Sequence, residues 1–114
     1  MRDAEKYLGK TVKIIIDRLL GSAHPRFPGL IYGVNYGYIP ETVGGDGEET
    51  DVYLLGVDEP VCEYTAKIIG VIYREDDVEF KLVAAPEGLR FNRAEIAEAV
   101  HFQEKYFKTE IVTL

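Results

Sequence analysis

Short stretches rich in β-branched and aromatic residues, separated by turns, constrain the fold of this chain more than any other feature. Side chains alternate between the two faces of a strand, and several of these stretches show that alternation. Glycine, proline and acidic clusters separate them, as is typical of turns between strands. We predict five strands, at residues 11–17, 31–38, 51–56, 63–74 and 78–84, and residues 111–114 could add a short terminal strand.

One helix is predicted late in the chain. Asn92 is a favourable N-cap, and Glu95 stands at the third helical position, where it completes a capping box. The predicted helix covers residues 93–107, and an apolar stripe follows its 3.6-residue period. The stripe consists of Ile96, Ala99, Val100, Tyr106 and Phe107, with Gln103 as its polar exception.

This order of elements favours a mainly β (α+β) fold. We predict a small, OB-like, five-stranded β-barrel with one C-terminal helix packed on its side. A length of 114 residues suits a single domain, 1–114. Gly70 within the fourth strand predicts a bulge or a barrel corner. Residues 18–30 carry Gly, Ser, Pro and His and are predicted to form a long surface loop.

The segment from residue 31 to residue 52 joins an aromatic strand, a glycine-rich loop and a dense group of carboxylates. Tyr32, Tyr36 and Tyr38 are expected on one face of the strand. Clustered acids repel one another without a nearby cation, and hard oxygen ligands suit Mg²⁺, Mn²⁺ or Ca²⁺. A solvated acidic turn explains the same residues, so both interpretations stay open at this point. The acids are Asp46, Glu48, Glu49 and Asp51.

A second acidic pair, Asp76 and Glu79, surrounds the turn before the last strong strand. Lys81 follows Glu79 by two positions, so the strand period places both on one face. If this hairpin neighbours the acidic loop, five of these six carboxylates converge on one rim of the barrel. That arrangement is typical of a metal-assisted phosphoryl hydrolase.

Charge and cysteine content exclude several classes of function. The formal net charge is −7, from 20 acids and 13 bases, which argues against nucleic acid as a partner. The single cysteine, Cys62, excludes an intramolecular disulfide and a thiolate metal site. No apolar run approaches the ~20 residues of a membrane span. The first ten residues are polar and lack the apolar core of a signal peptide, so we expect a cytoplasmic protein with no membrane partner.

Five sequence blocks resemble the soluble, Mg²⁺-dependent (family I) inorganic pyrophosphatases. The most specific are YGVNYGYIPET at 32–42 and DGEETDV at 46–52, in that order and at the spacing of the family. The others are IIIDR at 14–18, GVIYREDDVEFKLVAAP at 70–86 and HFQEKYF at 101–107. The resemblance implies a barrel enzyme that hydrolyses inorganic diphosphate to two phosphates by attack of a metal-activated water.

The resemblance also implies roles for individual residues, with Mg²⁺ as the cofactor and Mn²⁺ as an alternative. Metal-binding carboxylates would be Asp46, Asp51, Asp76, Glu48 and Glu79. Substrate phosphates would be bound by Arg18, Tyr36, Lys81 and Tyr106, and Tyr32 would line the cavity. Catalysis would depend on Glu48, Asp46, Arg18 and Lys81. We further expect a homo-oligomer.

The chain departs from the family pattern at several places, among them Glu49, which replaces a usual proline. Glu48 and Glu79 stand where the family has aspartates, and Phe107 stands where a phosphate-binding lysine follows the tyrosine. The loop at residues 21–30 is an insertion relative to the typical enzyme. It carries His24 and Arg26, and we hypothesise that one of them enters the site to replace part of the missing cationic set. The alternative is that both are ordinary solvated loop residues.

Two other functions compete with hydrolysis of inorganic diphosphate. The chain could be a divergent homologue that acts on another phosphate compound, admitted by the altered loop and the missing basic residues. It could also be a non-catalytic barrel that binds a metal or a partner, because a fold does not fix a function.

Overall fold

Strands account for most of the ordered elements of this protein. The computed structural model describes residues 3–42, 49–75 and 79–114. A short 3₁₀ helix precedes the first strand. The elements are the 3₁₀ helix at Asp3–Tyr7, β1 at Thr11–Arg18, β2 at Asn35–Ile39, β3 at Thr50–Leu54, β4 at Glu63–Arg74, β5 at Phe80–Ala85, α1 at Arg93–Glu104 and β6 at Thr109–Thr113. Neither helix in these ranges is long and apolar enough to cross a membrane.

Five of the strands close into a barrel. Their order is β1-β2-β3-β5-β4, and pairing between β1 and β4 closes the circle. The pair β3–β5 is parallel and the other pairs are antiparallel, while β6 continues the sheet beyond β4. This confirms the predicted five-stranded barrel with one helix. The ladder between β4 and β5 shifts register between Ile68 and Gly70, as the glycine in the fourth strand predicted.

Strand alternation divides the apolar residues between two cores. Val52 and Leu54 point into the barrel with Leu82, whereas Tyr53 and Val83 lie in the outer core beneath the helix. Every side chain named here is fully buried. Because the helix covers only part of the outer face, outward-facing polar residues beside it can form a site.

Gly37 allows β2 to lie close against β1. A Cβ atom added at this position would lie 1.8 Å from the carbonyl oxygen of Ile15, which is a backbone atom that cannot yield. Only glycine fits here. The neighbouring Tyr36 and Tyr38 therefore keep their outward orientation on β2, since the register of the strand is fixed at Gly37.

The predicted start of β2 at residue 31 is wrong. The strand begins at Asn35, and Tyr32 belongs to the preceding loop. The backbone N–H of Tyr32 donates to Ser22 O at 2.9 Å, and Tyr32 O accepts from Gly21 N at 2.8 Å. These bonds pair the residue with its own loop, so Tyr32 does not share a strand face with the other two tyrosines.

Residues 21–32 form a compact hairpin loop through such bonds. In addition to the two bonds of Tyr32, His24 N donates to Leu30 O at 2.8 Å. The Nδ1 atom of His24 accepts from the backbone N–H of Arg26 at 3.0 Å, which fixes the imidazole within the turn. The predicted long loop is therefore present, and its own hydrogen bonds hold its shape.

The helix begins as predicted and ends earlier. Glu95 N donates to Asn92 Oδ1 at 2.8 Å and Asn92 N donates to Glu95 Oε1 at 2.9 Å, which is the predicted capping box. The predicted end at residue 107 is wrong, because the helix ends at Glu104. The chain must turn there to enter β6, so Tyr106 and Phe107 are exposed and do not continue the apolar stripe.

Candidate active site

A cleft of about 1050 Å³ opens on the outer face of the barrel. It lies between outward-facing residues of the strands, the C-terminal end of α1 and the 21–32 hairpin loop. Its walls combine aromatic rings with five basic side chains. These are Arg18, His24, Arg74, Lys81 and Lys105.

Lys81 lies at the floor of this cleft between two carboxylates. Its Nζ atom is 2.6 Å from Asp51 Oδ2 and also contacts Glu79 Oε1. The lysine side chain is only 5% exposed, and an ammonium is not buried without such partners. Burial alone would lower the pKa of Lys81, but the negative charge of Asp51 and the hydrogen bonds to Asp51 and Glu79 outweigh it and raise this pKa above its ordinary value. Lys81 is therefore a fixed positive charge at all ordinary pH values.

Arg74, at the end of β4, joins the floor of the cleft to the helix. Its Nε and Nη2 atoms donate to the two carboxylate oxygens of Glu104 at 3.0 and 2.7 Å, in a bidentate pair. Its Nη1 atom donates to Glu79 at 3.2 Å. Burial lowers the pKa of Arg74, but the bonds and charges of Glu104 and Glu79 raise it more. The guanidinium also lies 3.7 Å from the ring centre of Phe107.

Two tyrosines and a glutamine extend this network across the cleft wall. The hydroxyl of Tyr53 donates to Glu104 Oε2 at 2.5 Å and accepts from Gln103 Nε2 at 2.6 Å. The hydroxyl of Tyr32 donates to Gln103 Oε1 at 3.0 Å. Gln103 can serve both because an amide carries a donor and an acceptor. Burial raises the pKa of Tyr53, and the charge of Glu104 raises it further, so the hydroxyl stays protonated.

Tyr36 lines the cleft above Lys81. Its ring centre is 5.6 Å from Lys81 Nζ and 5.6 Å from the ring centre of Tyr32. Burial raises the pKa of Tyr36 above its ordinary value, and the charge of Lys81 lowers it by less. The phenol is consequently a hydrogen-bond donor at neutral pH.

Arg18 and His24 also line the cleft. Arg18 is partly exposed, and its Nη1 atom donates to the backbone oxygen of Asp17 at 3.1 Å. The ring of His24 stacks on Tyr32 with centres 6.2 Å apart, whereas Arg26 is not among the described residues that line the cleft. Of the two loop residues in the hypothesis, His24 alone lies at the site.

The described residues include six of the nine predicted site residues. Asp51, Glu79 and Lys81 meet at one point. Arg18, Tyr36 and Tyr106 line the same cleft as Lys81. Asp46, Glu48 and Asp76 lie outside the described residues. Within the described ranges, no group of three or more His, Cys, Asp or Glu side chains is placed to hold a metal ion.

Four site residues were missed in the sequence. Gln103 gave the clearest signal, since it interrupted an apolar stripe, and a buried amide needs specific partners. Glu104 follows Ile96 and Val100 at intervals of four residues, so its side chain faces the protein interior. A carboxylate in that position requires a cationic partner. Nothing in the local pattern marked the partners of these two helix residues, which are Tyr53 and Arg74.

The fold and this cleft define a class of protein: a closed β-barrel with a cleft on its outer face that is lined by aromatic and basic side chains. A sequence model described as "Inorganic pyrophosphatase" matches residues 6–111. The chain therefore belongs to the inorganic pyrophosphatase family, as its sequence blocks predicted.

Relatives with this description come from distant organisms. An inorganic pyrophosphatase of Nanoarchaeum equitans is 36% identical over 86 residues, which cover 71% of this chain and 49% of that protein. One from Mesorhizobium japonicum is 31% identical over 96 residues, which cover 80% of this chain and 51% of that protein. The chain thus spans about half the length of the curated relatives it matches.

Solved structures of similar shape support the fold. A crystal structure of inorganic pyrophosphatase from Ehrlichia chaffeensis superposes with a TM-score of 0.73 at 23% identity. The match covers 93% of this chain and 87% of that one. A structure from Neisseria gonorrhoeae gives a TM-score of 0.63 at 23% identity and covers 86% of this chain and 74% of that one. Both show the same barrel.

Proposed function

We propose that this protein hydrolyses inorganic diphosphate to two phosphate ions. The observation that carries the proposal is Lys81, buried at the floor of the cleft between Asp51 and Glu79. Family membership supports the same reaction, since the chain matches proteins described as inorganic pyrophosphatases.

The cationic side chains are suited to bind the phosphoryl oxygens of the substrate. An ammonium has three N–H donors, so Lys81 retains one beyond the two carboxylates for a phosphoryl oxygen. The guanidinium of Arg18 can bind two oxygens at once, and the protonated hydroxyl of Tyr36 can donate to a third. These donors would orient the anion and offset the charge that develops on the departing phosphate.

The carboxylates suit a divalent cation. Asp51 and Glu79 lie close enough to share one ammonium, and their oxygens are the hard ligands that Mg²⁺ prefers. We propose that they hold Mg²⁺, or Mn²⁺ in its place, together with Asp46, Glu48 and Asp76. When bound, such a metal polarises phosphoryl oxygens and lowers the pKa of a coordinated water.

Asp51→Asn tests the proposal directly. It keeps the shape of the side chain and removes its charge, so phosphate release from diphosphate in Mg²⁺ should fall by at least about a hundredfold. The measurement is steady-state phosphate release in Mg²⁺ and in Mn²⁺. Asp58→Asn is the matched control, since Asp58 is exposed and does not line the cleft.

Two outcomes would contradict the proposal. Activity that survives Asp51→Asn would remove Asp51 from the site. Absence of turnover in the unaltered chain, combined with stabilisation by Mg²⁺, would instead favour a non-catalytic metal-binding barrel.

We propose a cytoplasmic protein with inorganic diphosphate as its partner and no role for nucleic acid or a membrane, in keeping with the net charge of −7. We also propose a homo-oligomer, which sedimentation of the full chain would detect.

A further inference from the structure

The cleft is much larger than an inorganic diphosphate. That anion has nine phosphorus and oxygen atoms, which fill at most roughly 270 Å³ at the ~30 Å³ share of a water molecule in liquid. The cleft measures about 1050 Å³. Its size matches pockets for organic ligands, which are typically about 300–1,000 Å³.

The lining of the cleft changes with depth. Lys81 and Arg74, at the floor, are 5% and 8% exposed. At the rim the exposed fractions are 62% for Phe27, 49% for Ile31 and 66% for Tyr106. Two cations are thus buried at the floor, and Phe27 and Tyr106 offer exposed rings at the rim, which suits a ligand with an anionic end and an aromatic end.

The 21–32 hairpin loop forms one side of the rim. Phe27 lies near the tip of the 21–32 hairpin loop, where its backbone N–H donates to His24 Nδ1 at 3.3 Å. Its ring centre is 5.1 Å from that of His24, which stacks on Tyr32. Hydrogen bonds and ring contacts therefore hold Phe27 beside the cleft. Phe27 gives the rim an aromatic wall, and His24 supports it.

We propose that this cleft binds organic diphosphates whose other end is an aromatic ring system, the chemistry of a nucleoside diphosphate. The phosphates lie toward Lys81, Arg74 and Arg18, and the ring stacks at the rim against Phe27. This orientation rests on the proposed function, which places phosphates at the floor. Stacking on aromatic side chains tolerates any base because every base has a π-face.

A pair of non-hydrolysable ligands tests the inference. Methylenediphosphonate carries the two phosphorus groups alone, and α,β-methylene ADP carries them with an aromatic base. Titration calorimetry of the full chain in Mg²⁺ should show the nucleotide analogue binding at least about fivefold more tightly than methylenediphosphonate. Phe27→Ala should weaken the nucleotide analogue by roughly fivefold to a hundredfold and change methylenediphosphonate less than about twofold.

Two further variants separate stacking from general effects. Phe27→Trp keeps an aromatic surface and should restore binding of the nucleotide analogue. Leu114→Ala removes a similarly exposed apolar side chain outside the cleft lining and should change neither ligand.

Three results would overturn the inference. One is equal affinity of the unaltered chain for the two ligands. Another is a Phe27→Ala effect of the same size on both. The third is a dimer in sedimentation that Phe27→Ala dissociates, since a second copy would then cover the rim.

Failure of the proposed hydrolysis is a separate result, because calorimetry needs no turnover. Absence of phosphate release from diphosphate, with nucleotide preference intact, would count against the proposed function alone.

Discussion

The floor and the rim of the cleft differ in how their residues are held. At the floor, Arg74 and Lys81 are buried ion-pair partners of Glu104, Glu79 and Asp51. At the rim, Phe27 and Tyr106 are largely exposed. Removing one member of a buried ion pair leaves an unpaired charge, whereas removing an exposed ring leaves nothing unpaired. Stability and binding are therefore coupled at the floor and separate at the rim.

Arg74→Ala is expected to give the largest loss of stability. It leaves the carboxylate of Glu104 buried without its cation, which should lower the free energy of unfolding by about 3–5 kcal/mol. Denaturant unfolding measures the change. Arg90→Ala, at an exposed position, and Phe27→Ala at the rim should each stay within about 0.5 kcal/mol of the unaltered chain.

A double variant tests whether the unpaired charge of Glu104 causes this loss of stability. Arg74→Met combined with Glu104→Leu replaces both charges by apolar groups, and it should recover part of the stability that Arg74→Ala loses, because the buried Tyr53 hydroxyl then lacks its acceptor. A double variant as unstable as Arg74→Ala would show that packing, and not the unpaired charge, causes the loss.

Tyr53→Phe should have an intermediate effect on stability. It removes the hydroxyl that bonds Glu104 and Gln103 and keeps the buried ring. The free energy of unfolding should fall by about 1–3 kcal/mol, because both partners lose a bond in a buried site. Tyr106→Phe removes a hydroxyl from the exposed rim and is the control. Equal losses in the two variants would contradict the contrast between floor and rim.

The smallest effect on stability is expected at Asp17, beside Arg18. It should appear as a change in how stability depends on pH. Burial raises the pKa of Asp17 above its ordinary 3.8, and the charge of Arg18 lowers it by less. A carboxyl with a raised pKa in the folded state stabilises the fold at low pH, and this contribution is lost as the pH rises through the raised pKa. Asp17→Asn should therefore gain stability relative to the unaltered chain between about pH 4 and pH 7.

The gain for Asp17→Asn should stay below about 1 kcal/mol, since the carboxylate is about half exposed. Urea unfolding in metal-free buffer at both pH values would measure it. If the stability advantage of Asp17→Asn over the unaltered chain shrank as the pH rose, the pKa of Asp17 would be lowered in the folded state and not raised.

Local patterns in the sequence were sufficient for most of the fold. The five barrel strands followed from alternation and turn residues, and the start of α1 followed from Asn92 and Glu95. Both signals act over three or four residues, so they do not depend on the rest of the protein. The start of β2 was missed because Tyr32 pairs with Ser22, in a loop whose composition does not encode that pairing.

The sequence by itself determined how side chains alternate along the strands, where the helix starts and to which family the chain belongs. It also placed Lys81 and Glu79 on one face. Only the tertiary structure decided which outward-facing residues meet. Arg74 and Glu104 lie 30 positions apart, Tyr53 and Glu104 lie 51 apart, and Tyr32 and Gln103 lie 71 apart. The physical reason is that these contacts form between different strands, a loop and the helix, so they exist only once the barrel has closed and the helix has packed on it.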